Sequence, residues 1–109
     1  MSTATDGRRR EHKVRDQLTA HGWVPIMRAA GSKGPADLFL GHPVHGGALV
    51  QVGSVSKTLG PADRERLVAA AELVGALALL AIVAPRQPVT YWQVTRDTPS
   101  RWDKWEVSA

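Results

Sequence analysis

The sequence contains no cysteine at all. That single absence excludes a disulfide scaffold, a thiolate zinc site, an iron–sulfur cluster and a cysteine nucleophile, and it suits a reducing, cytoplasmic setting. Oxygen and imidazole are left to do any chemistry. Long apolar runs are missing as well. The longest, Ala76 to Pro85, covers about ten residues where a membrane span needs roughly 20. Arg8, Arg9 and Arg10 are followed by no apolar stretch, so no signal peptide is read there. The expectation is an intracellular protein with no membrane partner.

At 109 residues there is room for one domain but not for a catalytic domain with a separate regulatory one. A hydrophobic content of 43% beside 22% charged residues lies near the globular average, so one core should form. The net charge is +4, and it is unevenly spread. Up to Lys57 there are eight Lys and Arg against four Asp and Glu, and beyond it six against six. A basic N-terminal half in a chain of pI about 10.1 is the footprint of a phosphate-backbone partner, because each cation that neutralises a phosphate releases a counterion. The competing reading is a solvated, solubilising surface.

Residues 1 to 7 show no periodicity and read as a frayed tail. Arg8 to His21 carries Val14 and Leu18 at helical spacing and ends at Gly22, which predicts an amphipathic helix. Glu11 falls on its inward stripe. Trp23 to Ala29 alternates as a strand in which Pro25, lacking an N–H, calls for an edge or a bulge. Ala36 to Leu40 is a second strand, Gly41 to Gly47 a loop, and Ala48 to Val55 a third strand with Leu49, Gln51 and Gly53 on one face. Pro61 to Val74 is a helix between Gly60 and Gly75. Ala76 to Ala84 is apolar enough for a strand buried on both faces and should return parallel to the third. Val89 to Thr95 is a fifth strand. From Thr98 a helical turn would place Trp102 and Trp105 on one side.

This order brings three polar groups toward one layer: Glu11 from the first helix, Asp37 at the start of the second strand and Gln51 in the middle of the third. Asp37 and Gln51 belong to adjacent strands, so a shared face would let their oxygens reach one ion. An all-oxygen set with room for water and phosphate describes Mg²⁺, or Mn²⁺ in its place, better than other metals. Alternatively Asp37 caps the turn at Gly34-Pro35 and Gln51 hydrogen-bonds across the sheet.

The series Arg10-Glu11, Val24 to Arg28, Ser32-Lys33-Gly34-Pro35-Ala36-Asp37-Leu38 and Leu49-Val50-Gln51-Val52, then an alanine-rich helix and an apolar strand, resembles the PD-(D/E)XK nucleases. Within them it is most similar to the Holliday junction resolvases of archaea and their small phage-encoded relatives. The resemblance spans roughly Arg8 to Val94. It implies an α/β, restriction-endonuclease-like core over 8 to 109: helix, three-stranded antiparallel meander, crossover helix, parallel strand and a further edge strand. It also implies a structure-selective, metal-dependent DNA endonuclease acting on branched DNA as a homodimer, and no small-molecule substrate. In that family Glu11 would orient metal or water, Asp37 and Gln51 would hold Mg²⁺, and Arg28 and Ser32 would lie near the substrate phosphate. Cleavage there leaves a 5′-phosphate and a 3′-hydroxyl.

One position departs. The family motif ends in a lysine two residues past the second ligand, and here that residue is Gly53. Lys57 folding back, or Lys33 approaching from the turn, would replace it. Otherwise the chain is a nuclease fold that binds branched or duplex DNA without cutting. Arg8, Arg9, Arg10 and Lys13 are the candidate backbone contacts, with Lys33 beside them. His42 and His45 have the spacing of a metal pair but no third ligand. Trp102 and Trp105 are read as packing rather than base stacking.

Overall fold

The computed structural model describes residues 3–28, 34 and 36–107, with side chains described for 6–27, 34 and 36–107. Helix α1 runs Thr3–Ala20 and helix α2 Pro61–Val74. The strands are β1 (Val24–Arg28), β2 (Leu38–His42), β3 (Gly46–Gly53), β4 (Ala76–Ile82), β5 (Thr90–Gln93) and β6 (Lys104–Trp105). They form one sheet in sequential order, β1 through β6, antiparallel throughout except for β3 and β4. A parallel neighbour cannot be reached by a tight turn, so α2 provides the crossover between β3 and β4. This is the helix, meander, crossover and parallel strand expected.

The helices lie on opposite faces of the sheet. Val14 and Leu18 of α1 are fully buried against Leu38, Leu40, Ala48, Val50, Leu79, Ala81 and Tyr91. Leu67 and Ala71 of α2 cover Leu49, Leu80, Val94 and Trp102. Alternation along β3 therefore sends Ala48 and Val50 toward α1, and Leu49 toward α2. The bounds of α2 are set locally. Gly60 precedes a proline that needs no donor, and Gly75, at φ +66°, closes the helix with its N–H on the carbonyls of Ala71 and Glu72.

Helix α1 starts at Thr3 rather than Arg8, so residues 3–7, read as a tail, are its first turn and more; Asp6 there complements the helix dipole. The loop read from Gly41 to Gly47 shrinks to Pro43, Val44 and His45, because His42 pairs with Gly46 and Gly41 with Gly47. Pro25 does sit on the edge strand beside a bulge between Pro25 and Met27, but that bulge abolishes the two-faced pattern read there: Val24, Ile26 and Met27 are all exposed.

The largest change is at the C-terminal end. Only Pro99–Arg101 is helical, as one 3-10 turn, and the chain then extends into β6, which the sequence pattern did not suggest. Residues three apart share a side of a helix but fall on opposite faces of an extended chain. Trp102 accordingly packs in the α2-side cluster, while Trp105 packs on the α1 side, edge-on to Tyr91 at 5.5 Å between ring centroids.

Candidate active site

Asp37 is the residue immediately before β2, and it holds on to β3 twice. Its backbone N–H donates to the Val50 carbonyl at 3.0 Å, and its Oδ2 accepts from the Val52 N–H at 2.9 Å. These two peptide groups flank Gln51. The carboxylate takes the place of a backbone carbonyl at the end of the ladder, which fixes the side chain in a half-buried position beside Gln51. Stepping the β2–β3 register one pair beyond Leu38 and Val50 likewise sets Asp37 opposite Gln51. Gln51 is half-buried and, by alternation, shares its face with Leu49 and Gly53.

Gly53 ends β3, buried, with its carbonyl accepting from the Val83 N–H at 2.8 Å. Beyond it the chain turns through Ser54 to Lys57, closed by the Lys57 N–H on the Ser54 carbonyl at 2.9 Å. This turn lays the Lys57 side chain over Gly53. A Cβ placed on residue 53 would overlap Cβ and Cγ of Lys57 and lie 3.0 Å from its Cδ. The methylenes of Lys57 thus fill the volume that a side chain at position 53 would use.

Glu11 is half-buried on α1 and lines a groove of about 160 Å³ with His12, Arg15, Pro25, Ile26, Met27 and Leu38. It stands beside Leu38, the neighbour of Asp37, and comes from the α1 layer, whereas Gln51 faces the α2 layer. Asp37 and Gln51 are therefore directly juxtaposed, and Glu11 approaches from the other side of the sheet. Among the described residues, no three His, Asp or Glu side chains gather closely enough to hold a metal ion. A cation at Asp37 would have to draw on the Gln51 amide oxygen rather than on a carboxylate cluster.

On the basic helix, Arg9, Arg10 and Lys13 line a cleft of about 460 Å³ together with Asp6, Ser54, Val55 and Val83 to Pro85. That is the same end of the sheet from which the Ser54–Lys57 turn departs. Arg8 is exposed outside it. Only the backbone of Arg28, the last residue of β1, is described, and Ser32 and Lys33 lie outside the described residues. His45 stacks on Trp23 while His42 lies tilted beside it, and His42 Nδ1 accepts the N–H groups of Val44 and His45 at 3.0 and 3.2 Å, so the imidazole closes the β2–β3 turn. Two features are not legible in the sequence pattern: the Val52 N–H that anchors Asp37, and the proximity of Ser54 and Val55 to the basic helix. The Gly53-Ser54-Val55-Ser56 stretch carries a turn signal, but a turn signal does not say which distant element the turn will meet.

The sheet order, the single crossover and a helix on each face are those of the restriction-endonuclease-like fold. Within that class the chain is similar to Hjc, a Holliday junction resolvase from the archaeal hyperthermophile Archaeoglobus fulgidus. The two share a TM-score of 0.68 and 26% identity over 79% of this chain and 75% of that one. No protein-family model and no curated protein matches the sequence.

Proposed function

We propose that this chain is a metal-dependent endonuclease that cuts branched DNA, a four-way junction above all, with Asp37 and Gln51 at its reacting centre. The observation that carries this reading is the clasp of Asp37 around Gln51 at the end of β2 and β3, in a chain similar to a Holliday junction resolvase. The donors suit Mg²⁺: a carboxylate and an amide oxygen are hard ligands, and neither is a soft sulfur or an imidazole. Asp37 and Gln51 would hold the ion, which supplies positive charge to the scissile phosphate and acidifies water. Glu11 would orient water from the groove beside Leu38. Arg8, Arg9, Arg10 and Lys13 would grip the backbone, since none of them forms an ion pair with a described residue and all lie along one helix. A junction presents two symmetric strands, so paired cuts call for a homodimer.

The test is cleavage of a synthetic four-way junction with Mg²⁺ or Mn²⁺. Asp37→Asn should lose at least about 100-fold in rate, beyond the 10- to 100-fold typical of a residue that merely supports a ligand. Junction binding without any cutting by the wild type at micromolar protein would reject the enzyme and leave a DNA-binding module.

A further inference from the structure

Gly53 is not a glycine for the sake of its backbone. Among the described residues, the glycines in the left-handed region are Gly22, Gly34, Gly46 and Gly75, whereas Gly53 closes an ordinary strand that any residue could close. What the position requires is the absence of a side chain, because Lys57 occupies that space. Three facts bear on what Lys57 does there. Its stem enters where a Cβ of residue 53 would be, on the face that alternation gives to Gln51, about 6.7 Å further back along the strand. From Cγ, three bonds lead to its amine, against four from Cβ in a lysine at position 53 itself, so the reach is nearly the same. And its ammonium forms no hydrogen bond or ion pair with any described residue, so its charge is available.

We propose that Lys57 presents its ammonium to the scissile phosphate held at Asp37 and Gln51, and that Gly53 is the opening through which its stem passes. This rests on the reading of Asp37 and Gln51 as the phosphate site. The ammonium forms and breaks no covalent bond; it neutralises charge that develops on a non-bridging phosphate oxygen and donates hydrogen bonds to it. Lysine suits the task as a compact point charge on a flexible stem.

Two readouts test the inference, one of which does not depend on turnover. In the first, the intact protein is acylated at its amines with and without an uncut four-way junction, Ca²⁺ replacing Mg²⁺, and sites are read by mass spectrometry. Lys57 should be protected by the junction while Lys104 on β6 reacts equally in both. In the second, Lys57→Ala should slow cleavage at saturating junction by at least about 100-fold, the size of losing one preorganised donor, a loss well beyond the change in junction affinity, with the variant still unfolding cooperatively. Gly53→Lys combined with Lys57→Gly, which vacates the space, should recover at least about tenfold of that loss. Equal acylation of Lys57 with and without DNA, or wild-type rates in Lys57→Ala, overturns the inference. If the wild type cuts no junction, the nuclease reading fails, yet protection of Lys57 still upholds its place at the bound phosphate and lack of protection still refutes it.

Discussion

Adding one methyl group to residue 53 discriminates sharply between a glycine chosen for space and one left by chance. In an ordinary strand, Gly→Ala should stabilise by about 0.4–1 kcal/mol, because alanine has less conformational freedom to lose on folding. Here the new Cβ would overlap Cβ and Cγ of Lys57, the near end of that side chain, which cannot swing away without moving the Ser54–Lys57 turn. Overpacking of this kind costs about 1–3 kcal/mol, so Gly53→Ala should come out destabilising by up to about 2.5 kcal/mol. In a Lys57→Gly background the obstacle is gone, and the same substitution should stabilise. The two backgrounds should therefore differ by about 1–3 kcal/mol, the signature of residues that touch directly. Urea unfolding resolves this easily: with m of roughly 1–3 kcal/mol/M, a 2 kcal/mol change moves the midpoint by about 1 M. An equal gain in stability in both backgrounds would mean that the Lys57 stem does not lie over Gly53. For the same reason Gly53→Lys alone should not raise cleavage, since two stems cannot share one volume.

Three further outcomes follow from the geometry. Changing Arg8, Arg9 and Arg10 to Ala should lower the slope of log K against log salt for junction binding by about 0.9 for each phosphate left without its cation, or about 2.7 for all three; an unaltered slope removes them from the interface. Arg96 hydrogen-bonds both Glu65 and Glu72 of α2, and these bonds hold both carboxyls below their usual 4.5. A depressed folded value stabilises above the unfolded one and fades as pH falls, so the stability gap between wild type and Arg96→Gln should be present at pH 7 and shrink as pH drops below 4.5. A gap that persists unchanged at pH 3, measured by thermal unfolding, refutes this. Tyr91 donates its hydroxyl to Gln17 at 2.6 Å, tying β5 to α1, so Tyr91→Phe should cost about 0.5–1.5 kcal/mol. Burial also pushes the Tyr91 phenol well above 10, so the folded protein resists its ionisation; the wild type should lose stability above pH 10 faster than Tyr91→Phe, and parallel alkaline curves would contradict the burial.

What the sequence announced were features governed by near neighbours. Pro61 and Gly75 bracket α2 because both act through their own backbone dihedrals, and Leu49, Gln51 and Gly53 share a face because strand alternation has a period of two. The pairing of Asp37 with Gln51 was legible for the same reason, once two adjacent strands were read. Features that depend on a partner distant in sequence were not. The bulge at Pro25 scrambled the faces of β1. Trp102 and Trp105 looked like one helical stripe until an extended backbone sent them to opposite faces of the sheet. Glu11 shares an inward stripe with Val14 and Leu18, yet it lies in the groove that α1 makes with β1, beside Leu38. The lysine missing at residue 53 was plain in the sequence, whereas its space being taken by Lys57 depends on how tightly the Ser54–Lys57 turn closes.

The site at Asp37 is tested most directly by a crystal of the wild type soaked in Mn²⁺ and probed by anomalous scattering. One Mn²⁺ is expected, bonded to a carboxylate oxygen of Asp37 and the amide oxygen of Gln51, and absent in Asp37→Asn. Manganese bound elsewhere, with bare water between those two side chains, would contradict it.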